Sequence, residues 1–381
     1  MKNIYLNNAA TSWPKPACVQ EAVREAVQNV PPGQYRSGTG GAGADVFEAC
    51  RASLGKLLGI ADTDRIFFTS GATQSMNLVL QGLGIPADRV ITTVTEHNSV
   101  LRPLYNLPGI AGEPVLLPCD GRGVVDPEAL EKVLSDERIL AKAGVLVLCH
   151  CSNVTGAVQD AAAFGQIAKR HGLLFLLDVS QSAGCMEVDT DADQADGVIF
   201  TGHKSLMGVS GTGGFYLREG VPFVPAMYGG TGRESAKLIF GPGEAALEVG
   251  TQNVPGICAL KAGVEWILKQ GVETIRKKEA SLRALAVALL SEIHGVTLYG
   301  ADLKEAGPVL SLTVDSLPPD DLGYILSSSY GITTRSGLHC SPLIHEYLGS
   351  GKAGTLRISF SPFNREEDII ALADALREIL R

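Results

Sequence analysis

Five short segments carry side chains that could do chemistry, and each directly follows an apolar run. They are Thr69-Ser70-Gly71-Ala72-Thr73, Glu96-His97-Asn98, Ser152-Asn153, Asp178-Val179-Ser180-Gln181 and Thr201-Gly202-His203-Lys204. Ser70–Thr73 reads as an anion cradle, because Gly71 allows close backbone approach and a helix start offers free N–H groups. An ordinary helix cap is the plainer reading. Asp178 ends the apolar run Leu173–Leu177. A carboxylate there needs a partner, and a protonated pyridine nitrogen would serve, unless the residue simply caps a helix. Lys204, in a polar cleft, can lose its proton and form a Schiff base with an aldehyde. Alone it would read as a surface lysine.

These residues need a scaffold that brings strand ends together. Runs at Ile66–Thr69, Val90–Thr95, Val115–Leu117, Gly144–Cys149, Leu173–Asp178, Gly197–Thr201 and Gly214–Leu217 read as strands. Helical patterns such as Gln74–Gly82 and Ala161–His171 lie between them. This alternation predicts an α/β fold with a mostly parallel seven-stranded sheet covered by helices. Open sheets of this kind bind ligands at the carboxyl ends of their strands. Phosphate cradle, carboxylate and lysine at those ends together point to pyridoxal 5'-phosphate.

Beyond about residue 255 the texture changes. A long helical stretch, Gly256–Leu289, leads into Val309–Val314 and Thr355–Phe360, then a closing amphipathic helix with Asn364 as N-cap and Glu367 three residues on. The division expected is a large cofactor-binding domain over 15–255 and a smaller α+β domain over 256–381, joined by the segment 1–14. On the strand at 355–360, Arg357 alternates with Leu356 and Ile358 and so faces away from the apolar side.

The 381 residues, 45% hydrophobic and 19% charged, suffice for a sizeable core. The net charge of -9 without a basic run excludes nucleic acid as a partner. No stretch approaches the roughly 18 apolar residues of a membrane span, and no signal peptide is visible. Eight scattered cysteines read as free thiols of a cytoplasmic protein. Cys149-x-Cys151 has no second pair at metal-binding spacing, so no metal site is expected. The run Gly38–Gly43 matches a dinucleotide-binding pattern only formally, because no strand precedes it.

The sequence resembles the class V aminotransferase family of fold type I pyridoxal-phosphate enzymes. Within it, the likeness is to the cysteine desulfurase and selenocysteine lyase branch (SufS-like). It runs from Tyr5-Leu6-Asn7-Asn8-Ala9-Ala10-Thr11 to Arg357, and its most specific motifs are Asp178–Gln181, Thr201–Lys204 and Arg335-Ser336-Gly337-Leu338-His339-Cys340. The resemblance implies that Lys204 bonds the cofactor aldehyde, Asp178 holds the pyridine nitrogen and Gln181 the ring hydroxyl. His97 would stack on the ring and move protons. Ala72, Thr73, Thr201 and His203 would hold the phosphate. Thr251 would reach the phosphate of the neighbouring subunit, which implies a homodimer. Asn153, Arg335 and Arg357 would bind the substrate carboxylate.

By the same resemblance Cys340 accepts sulfur from L-cysteine or selenium from L-selenocysteine and passes it to a sulfur-acceptor protein. Arg335 and His339 nearby would favour the nucleophilic thiolate form. Cysteine desulfurase is the reading adopted; selenocysteine lyase, a class V transaminase and a catalytically idle scaffold are the alternatives. The sequence departs from the branch at Leu338, at Asn98-Ser99-Val100, at Asn7-Asn8 and in the Gly38–Gly43 run.

Overall fold

The computed structural model describes residues 3–29, 44–107, 112–230, 236–240 and 247–381. The Gly38–Gly43 run lies outside them. A short strand, β1 (Ile4–Tyr5), precedes seven strands that form one sheet: β2 (Ile66–Thr69), β3 (Val90–Thr93), β4 (Val115–Leu117), β5 (Val145–Cys149), β6 (Leu174–Asp178), β7 (Gly197–Thr201) and β8 (Gly213–Leu217). Their order is β2-β8-β7-β6-β5-β3-β4, with β8 alone antiparallel to its neighbours. The mostly parallel α/β sheet expected from the alternation is therefore present. Strands β5, β7 and β8 are buried at every position, as strands covered on both faces must be.

The remaining strands are β9 (Val296–Tyr299), β10 (Val309–Val314), β11 (Ile332–Thr333), β12 (Arg335–Gly337) and β13 (Thr355–Ser359). β12-β13-β10-β9 form an antiparallel sheet, and β11 pairs with β1 in parallel. A second core of Leu310, Leu312, Leu356, Ile358, Leu372 and Leu376 sits on this sheet. No helix among the described residues is long and apolar enough to cross a membrane.

Two expectations are corrected. The stretch Gly256–Leu289 is two helices, Val254–Gln270 and Val272–Ser291, because Gly271 turns the backbone to φ 83° between them. The first packs Ile257, Leu260, Val264 and Ile267 into the core of the large sheet. The closing helix spans Glu366–Ile379, and its N-cap is Arg365, not Asn364. Asn364 is drawn inward instead: its amide donates to Tyr5 O and Asp368 Oδ2, and its Oδ1 accepts from Asn8 and the Ser361 amide.

Candidate active site

The parallel register brings the predicted segments to one edge. Cys149 pairs with Asp178, Asp178 with Ile199, and Gly213 lies between Thr69 and Thr201. Glycine is required at Gly213, because a Cβ there would stand 2.5 Å from Gly71 Cα. That approach tucks the start of helix Ala72–Leu83 against the sheet edge. Gly71, at φ 152°, caps this helix without a side chain, so no side chain claims its first amides.

The edge opens into a cavity of about 320 Å³. Ala72, Thr73, His97, Asn153, Asp178, Gln181, Thr201, His203, Lys204, Arg335 and Arg357 all line it. Eleven of the thirteen sequence-predicted residues thus converge. Thr251 does not: it lines a neighbouring hollow with Ser70 and Gln74. Cys340 lines a third, open cavity whose wall, formed by Thr73, His97 and Ser99, it shares with the main one. Ser180 and His339, named in the sequence only within their motifs, also line the main cavity, as do Ser99 and Cys149, which were missed as site residues. Side-chain direction decides their exposure, and nothing in their sequence setting reports it.

The electrostatics suit an anionic guest. Burial, above all, lowers Lys204 to about 8, so its amine becomes neutral far more readily than an exposed one; Asp178 opposes this shift. Asp178 is raised by burial, and its Oδ1 accepts from the Ser180 amide at 2.9 Å. Arg357 is 1% exposed and forms no ion pair among the described residues. Burial pulls it down to about 9, with Arg335 adding repulsion. Its Nη1 donates to Asn153 O at 2.9 Å, while Nε has no partner. Thus Arg357 faces the cavity without an ion pair among the described residues, and the charge acting on Asp178 is that of Lys204.

His97 caps helix Asn98–Asn106, with Nδ1 accepting from the Ser99 amide at 3.0 Å. An amide can only donate, so the ring proton sits on Nε2. Burial, then Lys204, Arg335 and Arg357, lower His97 to about 3, and it is neutral at ordinary pH. His203 is lowered to about 4 by burial, and its Nδ1 has no partner. Gln181 Nε2 donates to Ala9 O at 3.0 Å. Behind the wall, the Glu96 carboxyl is pushed up to about 8 by burial and accepts from the Cys149 amide.

The segment Leu338–Ser341 crosses from β12 toward helix Ile344–Leu348. Arg335 Nη2 lies 3.3 Å from Cys340 Sγ. His339 and Cys340 hold φ values of 51° and 61°, a left-handed conformation that costs about 1–3 kcal/mol per non-glycine residue. His339 is not the cationic neighbour expected: burial lowers it to about 2, and its Nε2 faces Thr355 O and Oγ1. Arg335 alone of the two supplies positive charge to Cys340.

The profile of the family "Aminotransferase class-V" matches residues 4–372. The chain belongs to the class-V aminotransferase family. A probable cysteine desulfurase of Methanothermobacter thermautotrophicus is 32% identical over 392 residues, covering 99% of this chain and 94% of the relative. The apo cysteine desulfurase of Thermococcus onnurineus NA1 superposes with a TM-score of 0.88 at 32% identity, covering 99% of this chain and 94% of that one. The cysteine desulfurase CsdA of Escherichia coli, solved as its S-sulfonic acid, gives 0.87 at 29%, covering 100% and 96%. The chain is accordingly an enzyme of this class, and its family generally uses pyridoxal phosphate. The residues present fit that cofactor: the buried Asp178, the readily neutral amine of Lys204, the unpartnered Nδ1 of His203 and the uncapped helix start all face one cavity.

Proposed function

We propose that this enzyme is a cysteine desulfurase that binds pyridoxal 5'-phosphate, converts L-cysteine to L-alanine and leaves a persulfide on Cys340. The observation that carries the reading is Cys340 behind the His97 wall, its Sγ held against Arg335, with Lys204 in the adjoining cavity. The relatives named cysteine desulfurase support it.

Pyridoxal phosphate, when bound, supplies an electron sink conjugated to the substrate Cα. Lys204 Nζ would hold its aldehyde and, as a readily neutral amine, would be the base for the substrate Cα proton. The Asp178 carboxylate keeps the pyridine nitrogen protonated. Gln181 holds the ring hydroxyl; Ala72, Thr73, Thr201 and His203 hold the phosphate. Arg357, Arg335 and Asn153 orient the substrate carboxylate. His97 would face the ring, with a proton held on Nε2. The Cys340 thiolate attacks the substrate sulfur, an S–S bond forms, and the C–S bond breaks with its electron pair going to Cβ. Protonation of that carbon and return of a proton to Cα complete alanine, and the sulfur, now oxidised to the persulfide level, passes to an acceptor protein.

The working unit is read as a homodimer in which Thr251 reaches the neighbour's phosphate. Exposed Val224, Tyr228, Leu238 and Ile239 support a protein partner. A large unit up to 255 and a smaller one from 256 are kept as a proposal, with helix Val254–Gln270 crossing that boundary and packed on the larger unit. Eight free cysteines support a cytoplasmic setting.

The deciding experiment mixes cofactor-loaded enzyme with L-cysteine in the absence of reductant. The peptide containing Cys340 gains the mass of one sulfur, matched by one alanine. Cys340→Ala keeps the bound-cofactor absorbance but releases alanine at least ~10²-fold more slowly. Wild-type desulfuration by Cys340→Ala, with no persulfide in the parent, would shift the reading to a lyase or transaminase. A parallel assay with L-selenocysteine separates sulfur from selenium preference.

A further inference from the structure

Asn153 stands in the cavity wall, yet its side chain is tied to the segment that carries Cys340. Nδ2 donates to His339 O at 2.6 Å, and Oδ1 accepts from Ser341 Oγ at 2.6 Å. All three residues are buried, Ser341 completely. A carbonyl can only accept, so His339 O fixes which end of the amide faces it. Ser341 completes the clamp from the other end. Between these two anchors lies Cys340, whose own carbonyl accepts from the Asn98 amide at 2.6 Å. His339 and Cys340 both hold left-handed backbone conformations, which persist only where surrounding contacts over-determine them. The clamp supplies such contacts. An amide nitrogen carries two N–H groups, and His339 occupies one. The other remains for a guest in the cavity that Asn153 lines.

We infer that Ser341 is a positioning residue: its hydroxyl fixes the Asn153 amide, which spans from the substrate pocket to the His339–Ser341 segment and sets where the Cys340 sulfur stands relative to bound substrate. This rests on the reading of Cys340 as the sulfur acceptor. The substrate carboxylate and the attacking thiol then share one reference point, a single amide group. Ser341 makes no contact with the cavity itself, so its removal acts through geometry alone.

The test compares cofactor-loaded wild type, Ser341→Ala and Ser341→Thr by two measurements. One is the rate of Cys340 alkylation by iodoacetamide, followed on the Cys340 peptide. The other is steady-state alanine release from L-cysteine. In Ser341→Ala the segment relaxes, alkylation rises at least about threefold, kcat falls about tenfold and KM stays within about twofold. Ser341→Thr keeps the hydroxyl and returns both rates toward wild type. Asn153→Asp, which retains the acceptor for Ser341 but loses the donor to His339 O, reproduces the faster alkylation should Ser341→Ala not fold. Wild-type alkylation in both Ser341→Ala and Asn153→Asp overturns the inference. A wild type that releases no alanine from cysteine defeats the functional reading instead, and the alkylation rates still decide the positioning role.

Discussion

Arg335 and Arg357 stand directly opposite each other in the antiparallel ladder of β12 and β13. Like charges at facing positions destabilise a sheet, and here one of the two is almost wholly buried. Arg335 accordingly adds to the downward pull that burial exerts on Arg357. The arrangement makes sense once an anion enters between them, since a carboxylate would neutralise the repulsion and meet the unpartnered Arg357 Nε. Ligand-free, the pair is a liability held by the surrounding fold.

Arg357→Leu tests this. Removing the buried cation leaves the substrate carboxylate unpaired in a dry site, a loss of about 3–5 kcal/mol. KM for L-cysteine should rise by ~10²-fold or more, while the absorbance of bound cofactor persists. Titration of the variant with L-alanine, followed by the same absorbance, should show a matching loss of affinity. Unchanged affinity in both assays would remove Arg357 from the carboxylate site.

The pH dependence of cofactor loading follows from Lys204. Only the neutral amine attacks an aldehyde, and burial lowers this lysine to about 8. Loading of the cofactor-free protein should accelerate as pH rises through about 8 and then level off. Asp178 raises the lysine, so Asp178→Asn should move the midpoint to lower pH. The stability sign follows too. Between about 8 and the ordinary 10.5, the unfolded chain binds the proton that the folded site refuses. The cofactor-free protein therefore gains stability with rising pH across that window and carries the full penalty below it. Loading rates that are flat from pH 6 to 10, roughly spanning the shift, would contradict the assignment. Borohydride reduction of the loaded enzyme should label Lys204 and no other lysine.

Gly213→Ala probes the cradle without touching a polar group. The added Cβ would meet Gly71 Cα at 2.5 Å and Phe200 O at 2.8 Å, both backbone atoms that cannot rotate away. Overpacking of this kind costs about 1–3 kcal/mol. The loss should appear as a lowered Tm together with weaker retention of cofactor on dialysis. A lowered Tm with full retention would separate the fold's need for this glycine from the phosphate's.

The strand ends were legible because parallel pairing allows little choice: once β5, β6 and β7 are buried and parallel, Cys149, Asp178 and Thr201 must meet at one edge. Arg357 was legible from alternation, and Lys204 from its neighbours. Three features could not be read along the chain. Gly271 breaks a helix whose periodicity continues through it, since the pattern of apolar residues does not report φ. His339 sits beside Cys340 in sequence but is buried against Thr355, which removes its charge. Asn153 reaches across 188 positions to Ser341, and a contact of that separation leaves no local pattern.

Assembly provides the last prediction. Thr251 is exposed and lies outside the cavity of its own chain, in a hollow with Ser70 and Gln74 just behind the helix start. If it serves a neighbour's phosphate, Thr251→Ala should weaken cofactor binding by about tenfold, the worth of one hydrogen bond to a charged group. A mixed dimer gives a sharper result. Pair a Thr251→Ala chain with a Lys204→Ala chain. One of the two sites then has its own Lys204 and receives an intact Thr251 from the partner; the other lacks both. Such hybrids should show about half the activity of a wild-type dimer at limiting cofactor, more than either parent homodimer. If Thr251 acted within its own chain, the site that keeps Lys204 would also carry the Thr251→Ala defect. The hybrid would then bind cofactor as weakly as the Thr251→Ala homodimer. Sedimentation of a fully active monomer at assay concentration would dismiss the shared site altogether.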